Sequence, residues 1–167
     1  MREFTINESN PNPQIELLKS YVPEETLPTI NPKYYTYFGF RDWWRFPLVY
    51  PYSIHSIDVV DYGRLYDESK VIDYSDINHQ ELTAVGVNDI THLALDRRYL
   101  LVRTETEVQE TLDVKYVLFE FSTAQKTVFD SEEALFEAAR ALNFEGELKL
   151  ITLNDYNVLF WQTNDSP

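Results

Sequence analysis

The chain has 167 residues, 44% hydrophobic and 15% aromatic, with 12 Tyr, 10 Phe, 3 Trp and no Cys. That composition can bury a full core, which excludes global disorder, and the lack of cysteine excludes disulfide scaffolds, thiolate metal sites and cysteine nucleophiles. Acidic residues outnumber basic ones 28 to 14 for a net charge of −14, the opposite of the clustered positive charge that a nucleic-acid surface needs.

The length suits one globular domain over residues 1–167. Pro11, Pro13, Pro23, Pro28 and Pro32 break residues 1–33 into an irregular segment expected to pack on that domain. No apolar signal region follows Met1 and no run approaches 18 apolar residues, so a cytoplasmic protein without membrane contact is expected. One short N-terminal helix is predicted. Asn12 caps it, Pro13 takes the first position, Ile15, Leu18 and Tyr21 share a face, and Pro23 stops it.

Residues 34–62 read mostly as extended chain. Ten of the nineteen residues from Tyr34 to Tyr52 are aromatic, with Arg41 and Arg45 bracketing Trp43 and Trp44. On a simple strand Phe38, Phe40, Trp44, Phe46 and Leu48 would share a core face, and neighbouring Trp43 would point the other way. Residues 62–80 are polar and read as a long connection. Leu82–Val87 is a predicted strand. Ile90–Leu95 and Tyr99–Thr104 form a predicted hairpin around Asp96-Arg97-Arg98, followed by a charged loop over Glu105–Glu110. Val114–Phe121 is the strongest strand and is expected to be central, with Phe119 and Phe121 buried; Lys126–Phe129 follows it. The best helix runs near 131–142, with Asp130 and Glu133 as a capping box, an apolar stripe of Leu135, Ala138, Ala139 and Leu142, and Asn143 as terminator. A last hairpin is predicted from Leu148–Leu153 and Val158–Trp161. The order implies an α+β fold: a mainly antiparallel sheet of hairpins with one well-defined amphipathic helix and the short N-terminal one.

Chemistry is sparse. His55, His79 and His92 form no metal-binding spacing, and Asp73 and Asp76 lack the glycine of a calcium loop. Ser53, His55 and Asp58 supply the residue types of a hydrolase without a nucleophile elbow. Four glycines provide no phosphate-binding fingerprint. No catalytic residue, metal or cofactor is therefore assigned. The reading is a non-enzymatic acidic binding protein, a monomer or weak dimer that inhibits or sequesters a basic protein partner. The candidate surface joins Trp43, Trp44, Arg41 and Arg45 to Asp67, Glu68, Asp73 and Asp76, because aromatics and Arg anchor interfaces while carboxylates steer them. In this general character the chain resembles bacterial immunity proteins and antitoxins, which implies masking of a basic nuclease by acidic side chains. Two alternatives stand beside it: a small carbohydrate-active or other hydrolase with an aromatic- and carboxylate-lined cleft, and a structural subunit of a homo-oligomer.

Overall fold

The structure, a computed structural model, describes residues 3–5, 12–77 and 81–162. Its eleven described strands build two antiparallel sheets, so the predicted α+β class holds. The first sheet is β1 (Glu3–Thr5), β2 (Tyr37–Phe40), β3 (Trp43–Pro47), β4 (Tyr52–Ile57), β5 (Arg64–Asp67) and β6 (Thr83–Ala84), in that order across the sheet. The second holds β7 (Ile90–Leu95), β8 (Tyr99–Val108), β9 (Thr111–Glu120), β10 (Lys126–Phe129) and β11 (Ile151–Thr152), in the order β10-β9-β8-β7-β11. Among the described residues four α-helices complete it: α1 (Pro13–Ser20), α2 (Lys33–Thr36), α3 (Glu132–Ala141) and α4 (Leu153–Leu159). Among the described residues no helix is long and apolar enough to cross a membrane.

Strand alternation sorts the first sheet into two faces. Phe46, Ile54 and Leu65 point to one side and are fully buried in the main core, together with Leu93, Leu100, Val102 and Phe119 of the second sheet. Tyr52 joins the sheets through its ring contacts to Phe119 and Phe121, at 5.1 and 5.6 Å. The sheets also meet through backbone. Gly63 and Ile90 exchange N–H···O bonds of 2.9 and 2.8 Å. A Cβ at Gly63 would lie 2.4 Å from an Ile54 methyl, so only glycine permits that approach. On the far side of the second sheet, Leu135 and Ala139 of α3 pack on Tyr99, Leu101 and Leu118 in a second cluster.

Several expectations hold. Asn12 caps α1 by accepting from Ile15 N–H at 3.0 Å, and its amide also donates to the Leu159 and Gln162 carbonyls, tying α1 to the end of α4. β9 lies between β10 and β8, with Phe119 and Phe121 buried. Asp96 closes the β7–β8 hairpin by accepting from the Arg98 and Tyr99 amides.

Others are corrected. Glu105–Glu110 is no loop, because β8 and β9 run on to a two-residue turn at Gln109 and Glu110, both with positive φ (48° and 62°). Such a turn matches the strands' twist. The strand predicted over Leu82–Val87 shrinks to β6, and β5 forms inside the polar run 62–80. Ser131 caps α3 through the Ala134 amide, since Asp130 is drawn to Lys115 Nζ at 2.6 Å. Asn143 does end the helix with φ 57°, but this leaves Leu142 40% exposed beyond the stripe. The final hairpin gives way to β11 and α4, because Thr152 and Asp155 form a reciprocal capping box that starts a helix. His79 lies outside the described residues.

The stripe predicts a sharp contrast in stability. Leu135→Ala should cost about 2–5 kcal/mol, the usual range for a buried large-to-small change. Leu142→Ala, at the half-exposed end, should cost less than about 1 kcal/mol. Urea denaturation of the two variants beside the wild type reads both values.

Candidate functional site

The outer face of the first sheet carries Trp43 and Arg45 on β3, Ser53, His55 and Ile57 on β4, and Arg64 and Tyr66 on β5, in register across the strands. Arg45 is the largest fully buried side chain among the described residues. Its Nε donates to Glu68 Oε2 at 2.7 Å and its Nη2 to Glu68 Oε1 at 2.5 Å, a two-pronged ion pair. Nη1 donates to the Tyr34 and Tyr37 carbonyls at 2.8 and 2.7 Å. The guanidinium lies between the Tyr34 and Tyr74 rings, 5.0 and 4.9 Å from their centroids.

Glu68 is satisfied as fully. Oε1 also accepts from Tyr74 OH at 2.9 Å, and Oε2 accepts from Ser53 Oγ and lies 2.9 Å from His55 Nε2. Burial alone would raise the carboxyl's pKa. The Arg45 guanidinium, with help from His55, outweighs it and holds Glu68 well below the usual glutamate range. The Tyr74 hydroxyl moves the other way, pushed up by burial and by the Glu68 charge.

His55 has a definite tautomer. The Trp43 indole N–H can only donate, and it sits 3.2 Å from Nδ1. Nδ1 is therefore bare and Nε2 carries the ring hydrogen, directed at Glu68 and at Ser53 Oγ, 2.8 Å away. Ser53 and His55 do meet, as their strand spacing suggested, but the acid is Glu68 rather than Asp58. In a nucleophilic triad the serine and the acid take opposite ring nitrogens. Here both take Nε2, and Ser53 has 0% exposure. The arrangement fixes a ring in place and leaves the hydroxyl no route to a substrate.

Above this floor the surface opens. A cleft of about 170 Å³ is lined by His55, Ile57, Tyr62, Arg64, Tyr66 and Asp89, with Gly63 at its base. It sits where the two sheets join, since Gly63 and Ile90 bridge them and Asp89 precedes Ile90. The His55 ring lies between Trp43 and Tyr66, at centroid distances of 5.2 and 4.8 Å. Asp89 Oδ2 accepts from Thr106 OH at 2.8 Å. Asp58 and Asp89 near this cleft both have positive φ, 66° and 54°, a conformation that costs energy for residues other than glycine. The lining holds one carboxylate, Asp89, where sugar hydrolysis needs two. Among the described residues no cluster of His, Asp and Glu could hold a metal ion.

The structure divides the predicted surface. Arg45 and Glu68 form the interior pair, with 0% and 1% exposure, and cannot meet a partner. Trp43 is half-buried against His55 and Tyr37. Trp44 is half-buried on the opposite face, in a groove with Phe38, Asn157 and Trp161. Arg41 is exposed at the β2–β3 turn, its guanidinium 5.0 Å from the Phe40 ring. Asp67 pairs with Tyr52 and Trp43 with Ile57, at opposite ends of β4. Five residues of strand separate those positions by about 17 Å. Asp67 and exposed Asp73 accept from nearby Ser69 and Ser75 amides, and the side chain of Asp76 lies outside the described residues. The aromatic segment and the acids from Asp67 onward are thus two separate places. The cleft residues Tyr62, Tyr66 and Asp89 escaped the sequence reading, because only strand register brings them together.

The buried pair makes a prediction for acid. Glu68 has a lowered folded-state pKa against an ordinary value of 4.5. Its contribution is fully present above that value and is lost as pH falls toward the folded one, while Arg45 stays charged throughout. Stability should therefore decline steadily below about pH 4.5 in the wild type. Glu68→Gln should cost about 3–5 kcal/mol at neutral pH by stranding Arg45, and should flatten the acid decline. Urea melts of both proteins between neutral and acid pH measure each effect.

Comparison with known proteins found no matching family model, no matching curated protein and no matching solved structure.

Proposed function

We propose that this is a non-enzymatic binding protein that engages a basic partner protein through one end of the first sheet, around the β4–β5 connection. One observation carries the reading. Ile57, Val59 and Tyr62 expose 59%, 49% and 46% of their surface within six residues of chain. Trp43 lies in register beside Ile57, and Asp58 N–H donates to the Asp42 carbonyl at 2.7 Å, so Asp42, Asp58 and Asp61 rim the same apolar strip. A cluster of large apolar and aromatic side chains rimmed by polar ones is the usual anatomy of an interface.

Charge supports a basic partner over an acidic one. The strip itself is nearly balanced, with Arg41 and Arg64 beside its three aspartates. The molecule's −14 lies elsewhere, with residues 67–96 at −6 and 105–167 at −9. Such a field raises encounter rates with cations, while the apolar strip sets how long a complex lasts. Inhibition by occlusion, as in immunity proteins and antitoxins, is the activity that such a surface would perform in the cytoplasm.

The test is kinetic, using a partner captured with wild-type bait and then purified. Tyr62→Ala should weaken binding by about 2 kcal/mol or more, and Val59→Ser by about 1, both through faster dissociation. Added salt should slow association and leave dissociation nearly unchanged. Asp67→Asn with Asp73→Asn, at the other end of the sheet, should leave dissociation unaltered. An acidic partner, or one that binds Tyr62→Ala and Val59→Ser like the wild type, would overturn the reading. Self-association lost on the same substitutions would replace the foreign partner with a second copy of this chain.

A further inference from the structure

The geometry points to the cleft at the junction of the two sheets as a socket for one arginine side chain of the basic partner, an inference that rests on the binding reading above. The protein's own interior supplies the precedent. Arg45 is held by two tyrosine rings and one carboxylate, those of Tyr34, Tyr74 and Glu68. The cleft offers the same components at the surface: Tyr62 and Tyr66 with the carboxylate of Asp89, in about 170 Å³ of open space.

Each component is suited to a cation. Asp89 is half-buried, and its position is fixed twice, by Thr106 OH on Oδ2 and by Glu105 N–H on its backbone carbonyl at 3.0 Å. No ion pair among the described residues neutralises it. Arg64 shares the cleft wall, yet among the described residues its guanidinium makes neither an ion pair nor a contact over a ring. His55 lines the floor as a ring held by Trp43 and Glu68, so it adds a fixed aromatic surface. Ile57 gives the apolar stem of a long side chain a wall to lie against. A flat guanidinium stacks on tyrosine and meets a carboxylate at its edge, which a rounded, strongly hydrated ammonium does less well. Arginine is therefore favoured over lysine.

The experiment titrates N-acetyl-arginine amide into the labelled full chain and follows backbone amide shifts by NMR. The wild type should show saturable shifts centred on Tyr62, Tyr66 and Asp89. N-acetyl-lysine amide should bind more weakly, and N-acetyl-glutamate amide should leave the cleft unmoved. D89N, which retains an acceptor for Thr106, should bind the arginine probe about tenfold more weakly or worse. R64Q should bind at least as tightly as wild type, because a like charge has gone. Tyr62→Leu, at a half-exposed position, should weaken the probe as well, and it carries the test if D89N does not fold. Absence of saturable shifts, equal binding of the glutamate probe, unchanged affinity in D89N or Tyr62→Leu, or weaker binding in R64Q would each overturn the socket. The partner complex separates the two readings. A D89N protein that loses the probe but keeps the partner removes the socket and leaves the surface standing. A Val59→Ser protein that keeps both partner and probe at full strength removes the surface reading and leaves the socket.

Discussion

Arg45 and Glu68 both have 0% side-chain exposure. Taking either ion out of water costs several kcal/mol even after relaxation, and their mutual attraction offsets that cost only when the remaining donors and acceptors are satisfied too. That requirement organises much of the first sheet. The Tyr34 and Tyr37 carbonyls must reach Arg45 Nη1, which places α2 and the start of β2 over β3. Tyr74 must reach Glu68 from the short helical turn 74–76. Ser53 and His55 on β4 must fall in the same phase as Arg45, and register sets Arg45 opposite His55. Three separate stretches of chain are thereby pinned to one pair of charges.

The surface inherits this rigidity. His55 cannot turn without giving up Trp43 on one side and Glu68 on the other. Its ring is thus a fixed floor for the cleft, and the contacts to Trp43 and Tyr66 make one aromatic row across three strands. The opposite wall is set from the second sheet, where Asp89 is held just before the strand that Gly63 joins. A site formed at such a junction depends on the relative placement of both sheets. Tyr52 packing on Phe119 and Phe121, and the glycine contact with Ile54, maintain that placement. The polar interior and the apolar core both bear on this one cleft.

Much of the fold was legible because its signals are local. Asn12 with Pro13, the apolar period through Leu135 and Ala139, and the alternation of Val117, Phe119 and Phe121 each declare an element within a dozen residues. The misreadings arose where two local signals compete. Thr-Glu-Thr-Glu at 104–107 alternates, as a strand should, but its polar residues on both faces resemble a loop. Asn-Asp-Tyr-Asn at 154–157 reads as turn-forming, yet Thr152 with Asp155 is a capping pair and the helix prevails. The buried charge pair was missed because its partners are 23 residues apart and Glu68 lies in a polar run. A trace of it was available. Arg45 shares strand phase with Trp43 and Pro47 in a segment otherwise built of aromatics, and an arginine in that setting needs an anion. Which anion is a tertiary fact, and so is the grouping of Tyr62, Tyr66 and Asp89.

The separation of the apolar strip from most of the acidic charge follows from the range of each force. Electrostatic attraction is felt over about 8 Å at physiological ionic strength, and it sums over many residues, so acids spread over both sheets and α3 can draw in a cation without touching it. Apolar contact acts only at touching distance and is weakened by neighbouring charges that must be desolvated. A strip of Ile57, Val59 and Tyr62 crowded by carboxylates would give up in desolvation much of what it gained in burial. With three aspartates at its rim nearly balanced by Arg41 and Arg64, it keeps that cost low while the rest of the molecule supplies the field. The exception is Asp89, a single carboxylate inside the cleft and already fixed by Thr106. On the binding reading proposed above, its ordering is complete in the free protein, so an entering cation would meet a preorganised acceptor whose ordering entropy has already been lost in folding.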